Sequence, residues 1–188
     1  MTPGTYSHRF DEAVTLAVSA FRGKVRKTTT IPYVTHLFTV CALVGEHGGD
    51  EDQMIAAMLH DYLEDIVGAS EAELEQKFGS RVVRLVVALS DTIAHPKPAW
   101  KPRKETYLAH LKYAPPEVKL ISAADKLHNC GSILRDHAQV GDMVFDRFSA
   151  SKDETLWYFH EVHRSLAHDW RHPLLDELGE SVRRLHTL

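Results

Sequence analysis

The 188-residue chain carries 22 basic and 26 acidic side chains, a formal net charge of −4 with histidine neutral. With 44% hydrophobic and 26% charged residues, it has the balance of a globular protein, long enough for one sizeable core and too short for two comfortable ones. The acidic balance argues against a bulk nucleic-acid binder, which carries a strong basic surplus, and leaves room for a local basic pocket that takes a phosphorylated small molecule.

The opening segment "MTPGTYSHRFDEAV" lacks the basic-then-apolar pattern of a signal peptide, and no apolar run approaches the length of a membrane span. The expectation is a cytoplasmic enzyme or binding protein with no membrane partner. Apolar residues then recur at helical spacing, with almost no β-type alternation. Ala13, Leu16, Ala17 and Ala20 mark a first helix over residues 11–21. A polar stretch, "GKVRKTTTI", leads to Pro32, which opens a helix through "YVTHLFTVCALVGEH" that Gly48 and Gly49 stop. Asp50 caps the next helix, "EDQMIAAMLHDYLEDI", with Glu51 and Asp52 in its first turn.

"SEAELEQKFG" begins with Ser70 and Glu73 in capping-box spacing and ends at Gly79. "SRVVRLVVALSD" reads as a buried helix, although its valines leave a strand open. "TIAHPKPAWKPRKE", with three prolines, reads as a surface loop. Helical signals resume at "ETYLAHLKY", and Pro115 and Pro116 open "PEVKLISAADKLHNCGSIL". "DETLWYFHEVHRSLAHDW" forms a long final segment, and Pro173 starts a short closing helix. With no repeat, low-complexity tract or linker, the prediction is all-α: a single multi-helix domain over 1–188.

Chemistry is concentrated in "AAMLHDYLEDI", residues 56–66. On a continuous helix His60 pairs with Glu64, and Asp61 with Asp65, on adjacent strips beside the core. Burying polar groups without partners costs on the order of 2–7 kcal/mol each. A divalent cation resolves the conflict by taking imidazole nitrogen and carboxylate oxygen together. This stretch alone does not choose between a cation site and a solvated helix face. Thirteen histidines favour a metal site without locating one. Cys41 and Cys130, far apart and outside any CxxC pattern, suggest neither a disulfide framework nor a thiolate zinc site. Acids near a helix C-terminus oppose the dipole, which favours function over solvation for Glu64 and Asp65.

His36 lies in the preceding helix, and "SAADKLHN" sets Asp125 and Asn129 four apart. H…HD…D is the signature of the HD phosphohydrolase superfamily. "IPYVTH", "AAMLHDYLED", "FGSRVVRLVVALSD" and "SAADKLHN" resemble, in order and spacing, the hydrolase half of the RelA/SpoT alarmone enzymes and their stand-alone small alarmone hydrolases. The likeness runs from about Phe21 to Leu166. It implies an HD-domain bundle that removes pyrophosphate from the 3′ position of (p)ppGpp, as a hydrolase without the synthetase half. It implies His36, His60, Asp61 and Asp125 as ligands of a divalent ion, Mn2+ in that family, and Glu64 and Asp65 as the catalytic pair. Arg26 and Lys27, allowing a one-residue gap, match a basic pair that contacts substrate phosphates. Asn129 matches a nucleotide-contacting Asn, and Tyr33 and Ser132 are expected to line the same pocket.

The chain departs from the family at Gly131 and Ser132, where relatives commonly carry Arg and Thr, at the large Tyr62 between HD and ED, and in the proline-rich loop that replaces an acidic-basic stretch. These departures leave open another nucleotide substrate (an adenosine alarmone, the NADPH 2′-phosphate or a nucleoside monophosphate), or a regulator that binds nucleotide without turnover. Lys97, Lys101, Arg103 and Lys104 read as a solvated basic loop. His160, His163, His168 and His172, with Asp169, have spacings that suit a metal, but Trp157, Phe159, Val162 and Leu166 interleave with them, so amphipathic packing is expected there.

Overall fold

The computed structural model describes residues 6–94 and 96–188; the first five residues of the opening segment and His95 of the proline-rich loop lie outside them. The chain is all-α, with an isolated bridge between Val25 and Pro32 the one β-type pairing among the described residues. It forms two compact units, one ending at Ala94 and the other running to Leu188.

In the first unit, α1 (His8–Ala20) is capped by Ser7, whose side chain accepts from the Arg9 amide. α2 (Val34–Glu46) buries His36, Leu37, Val40, Cys41 and Val44. α3 (Glu51–Leu59) starts with the capping box of Asp50 and Gln53. Ile55, Ala56, Ala57, Met58 and Leu59 are all buried, as a helix enclosed by neighbours requires, and α1, α2 and α6 all pack against it.

The long helix expected through residue 66 is broken at its most polar point. His60 and Asp61 form a turn, Asp61 at φ −96°, ψ 3°, and a single further turn, α4 (Tyr62–Asp65), follows. Asp61 thus occupies the sparsely allowed bridge region, where active-site residues are often found. The face-sharing argument for His60/Glu64 and Asp61/Asp65 does not survive this break, and neither does the dipole argument, because a one-turn helix has no distinct C-terminal end. α5 (Glu71–Phe78), capped by Ser70, ends at Gly79 with φ 83°, and α6 (Ser80–Leu89) follows as a helix, not a strand.

The second unit opens with α7 (Trp100–Lys112). The expected loop therefore ends earlier: Pro102 is the third residue of α7, inside the first turn, where an amide has no intrahelical acceptor to lose. α8 (Pro116–Val140) begins with Pro115 as cap and ends at Gly141 with φ 60°, beyond the predicted stop at Leu134. A 3-10 segment (Gly141–Arg147), α9 (Lys152–Leu166) and α10 (Pro173–Leu185) complete the unit, with α9, α10 and the 3-10 segment packed on α8. α9 stops four residues before the end expected for it. No described helix is long and apolar enough to cross a membrane.

Candidate metal and catalytic site

The first unit holds a continuous polar chain from a basic loop to the broken helix. The loop after α1 closes on itself: the Arg26 amide donates to the Ile31 carbonyl at 2.9 Å, and the Tyr33 amide to the Lys24 carbonyl at 2.9 Å. Lys27 is exposed near its tip, beside Thr28, whose φ is 55°. The Phe21 and Tyr33 rings stack at 5.3 Å, and the Arg26 guanidinium lies 5.6 Å from the Tyr33 ring centre. The Tyr33 hydroxyl then donates to Asp61 Oδ2 at 2.6 Å. Tyr33, expected to line a nucleotide pocket, is thus a support for a candidate metal ligand.

His36 and His60 are 1% and 4% exposed, and their Nε2 atoms stand 3.2 Å apart. Asp61 Oδ2 is 3.1 Å from His60 Nε2 and 3.8 Å from His36 Nε2. His60 Nδ1 lies 2.8 Å from the Ala57 carbonyl oxygen. A carbonyl accepts only, so Nδ1 carries the proton and Nε2 of the neutral ring presents its lone pair to the cluster. Ligand atoms each about 2.1 Å from one ion stand roughly 3.0–3.5 Å apart, close to the separations among these three. Two imidazoles and a carboxylate, with no thiolate, are a donor set that suits Mn, Fe or Zn, so the residues fit a divalent ion.

Glu64 and Asp65 are both half-buried on α4. Glu64 Oε2 accepts from the Asp91 amide at 3.4 Å. Asp65 meets Lys24: the ammonium donates to the Asp65 carbonyl oxygen and stands 3.7 Å from the carboxylate. Tyr62 is buried, and its hydroxyl donates to Glu73 Oε2 on α5 at 3.2 Å. Burial, then the Glu73 charge, push its phenol above the usual range.

In the second unit, Asp125 is buried on α8. Its Oδ1 accepts from Asn129 Nδ2 at 2.6 Å, and its Oδ2 is ion-paired with Lys126. Lys126 lies 5.6 Å and 5.9 Å from the ring centres of Tyr107 and Tyr158. Burial works against its charge, but Asp125, Tyr158 and Tyr107 outweigh it and hold the ammonium well above its ordinary pKa. Asn129, expected to contact nucleotide, steadies Asp125 here. The Ser132 hydroxyl accepts from Arg135 at 3.2 Å, and the same guanidinium lies over Gly131, 3.1 Å from where a Cβ would stand. The basic residues predicted to be solvated are partly engaged: Lys101 sits 3.0 Å from the Trp157 ring centre and Lys104 4.9 Å from that of Tyr158.

The C-terminal histidines do separate structural jobs. His163 packs against Gly179, where a Cβ would stand 2.8 Å from its Nε2. His160 meets His186 edge to face, and His172 caps α10 and stacks on Trp170. Among the described residues no three of them gather as ligands. Sequence reasoning missed Lys24, Lys126 and the supporting role of Tyr33. Lys126 and Tyr33 lie inside quoted motifs, whereas Lys24 had no signal beyond its charge.

An all-helical chain with paired buried imidazoles and an aspartate at a helix break is the HD architecture. The chain belongs to the HD-domain family, whose sequence pattern matches residues 13–155. It is similar to the guanosine-3′,5′-bis(diphosphate) 3′-pyrophosphohydrolase MESH1 of Danio rerio, 32% identical over 127 residues, 66% of this chain and 68% of that one. The mouse MESH1 is 31% identical over 135 residues, covering 70% and 73%. The bifunctional (p)ppGpp synthase/hydrolase SpoT of Escherichia coli K12 is 29% identical over 166 residues, 85% of this chain but 21% of SpoT. Among solved structures, a metazoan ortholog of SpoT that hydrolyses ppGpp superposes with a TM-score of 0.79 at 27% identity, covering 98% of this chain and 100% of that one.

Proposed function

We infer that the protein is a metal-dependent hydrolase that removes pyrophosphate from the 3′ position of (p)ppGpp, giving GDP or GTP. The observation that carries the reading is the convergence of His36 Nε2, His60 Nε2 and Asp61 Oδ2, with the His60 tautomer fixed by Ala57. The two MESH1 enzymes, similar over two thirds of their length, support the substrate. On this reading His36, His60, Asp61 and Asp125 hold the ion, Mn2+ being the preferred occupant, within one HD domain that runs through the chain. A divalent cation supplies, when bound, the Lewis acidity that makes water a competent nucleophile near neutral pH.

The protein's own groups do the rest. Glu64 takes the proton of the attacking water, and Asp65 orients that water. Water adds to the phosphorus attached to O3′, the O3′–P bond breaks, and pyrophosphate leaves while O3′ takes up the proton that Glu64 removed from the water, giving a 3′-hydroxyl. Arg26 and Lys27 neutralise the phosphates, which matters for a polyanion entering a protein of net charge −4. Asn129 and Ser132 border the nucleotide. The partner is a small-molecule nucleotide, and the compartment is the cytoplasm.

The test is a metal-dependent substrate panel: purified protein with and without Mn2+ against ppGpp, an adenosine alarmone, NADPH and nucleoside monophosphates. Pyrophosphate release from ppGpp, abolished by chelator, is expected. Turnover of another panel member with none of ppGpp removes the alarmone assignment; the departure from the family at Gly131 is the reason for including those members.

A further inference from the structure

Lys24 touches the turn that carries Glu64 and Asp65 and belongs to none of the family motifs. Three contacts fix it. Its ammonium donates to the Asp65 carbonyl oxygen and stands 3.7 Å from Asp65 Oδ2. It lies 5.5 Å from the Phe21 ring centre. Its own carbonyl accepts from the Tyr33 amide at 2.9 Å, the residue whose hydroxyl reaches Asp61 at 2.6 Å.

α4 needs such a partner. It is a single turn carrying Glu64 and Asp65 side by side, too short to be stable as an isolated helix. Two bonds close it, the Asp65 amide to the Asp61 carbonyl at 2.9 Å and the Ile66 amide to the Tyr62 carbonyl at 3.0 Å. Beyond it the chain turns away, with Ile66 extended at ψ 118°, so the Asp65 carbonyl finds no continuing helix. An ammonium on that carbonyl satisfies it and offsets two adjacent negative charges in the same contact.

We propose that Lys24 is a positioning residue: it pins the Asp65 end of the catalytic turn to the loop that carries Arg26 and Lys27, so that phosphate-binding and water-orienting groups move as one body. This rests on the proposed catalytic role of Asp65. Arg26 and Lys27 are expected to act by charge on the substrate; Lys24, already engaged by Asp65, is expected to act on the geometry of the turn.

The experiment compares the wild-type protein with K24M, which keeps length and loses the donors, and K24Q, a neutral donor. Steady-state kinetics on ppGpp with Mn2+ are expected to show kcat about tenfold lower in K24M, with KM within twofold and substantial recovery in K24Q. Hydrogen exchange of the metal-free protein is read alongside, because it needs no turnover: the Asp65 and Ile66 amides are expected to exchange several-fold faster in K24M, with the melting midpoint unchanged. A rise in KM at constant kcat overturns the proposal by making Lys24 a phosphate contact. Unchanged exchange at Asp65 and Ile66 overturns it outright. If the wild-type protein releases no pyrophosphate from ppGpp while exchange still responds to K24M, the substrate reading fails and the positioning role stands.

Discussion

The His-Asp dipeptide occurs twice, once in each unit, at His60–Asp61 and at His168–Asp169. Both copies follow the last turn of a helix, α3 in one case and α9 in the other. Within each dipeptide the imidazole Nε2 and the carboxylate are almost equally close, 3.1 Å and 3.2 Å. The surroundings differ. The His60 side chain is 4% exposed and that of Asp61 20%, against 35% and 88% in the second copy. His60 meets a second buried imidazole, His36, and Asp61 accepts from Tyr33. His168 instead faces the Tyr113 ring, and Asp169 turns outward with φ 53°. Water satisfies the exposed pair. The buried cluster must find its partner inside the protein, and lone pairs that converge out of solvent suit a cation. The dipeptide is therefore no site in itself; burial and a third donor make one.

The sharpest way to break this comparison is to mutate both copies. H60A or D61N is expected to lower kcat/KM for ppGpp by about a thousandfold, roughly 4 kcal/mol of transition-state stabilisation. H168A and D169N are expected to stay within twofold of the wild type. Equal losses at the two dipeptides would defeat the distinction. A smaller effect tests the support that only the first copy has. Y33F removes the hydroxyl that holds Asp61 Oδ2, and it is expected to weaken Mn2+ binding about tenfold by calorimetry, at the low end for groups that orient a ligand.

The weakest effect belongs to the second copy's neighbourhood and reads stability, not activity. Burial, then the charges of Arg183 and His160, hold the His163 pKa below its ordinary value. The unfolded chain binds that proton near pH 6.5, so in the window just below it the unfolded state carries more protons and is favoured. The stability associated with a neutral His163 is full above about pH 6.5 and is lost as pH falls from there. H163Q is expected to flatten this part of the curve of urea midpoint against pH, with ppGpp turnover at pH 7.5 unaffected.

Legibility followed the range of the interactions. Asp50 and Ser70 cap their helices and Gly79 ends one, because capping joins residues three or four apart and is written in local sequence; α1 instead starts at His8, three residues before the start expected for it. His36, His60 and Asp61 were readable through motif spacing, and the first unit brings them together. The break at His60–Asp61 was not readable: Ala, Met, Leu and Tyr on either side are compatible with a helix, and intrinsic preference for one is a weak force beside tertiary packing. The same limit hid the early start of α7, since Pro102 is tolerated within a first turn. Asn129 carried a substrate expectation by motif, whereas its hydrogen bond with Asp125 at 2.6 Å depends on side-chain rotamers that spacing does not specify.

By itself the sequence determined the all-α class, several helix ends, the HD family and the residue types able to hold a cation, because each is encoded in periodicity or in short fixed spacings. Only the tertiary structure decided which of two His-Asp pairs is buried against a third donor, which tyrosine supports Asp61, and that Lys24 reaches Asp65 across 41 residues. Those outcomes depend on distances between segments remote in the chain, and the burial that gives them chemical consequence is created only when the helices pack.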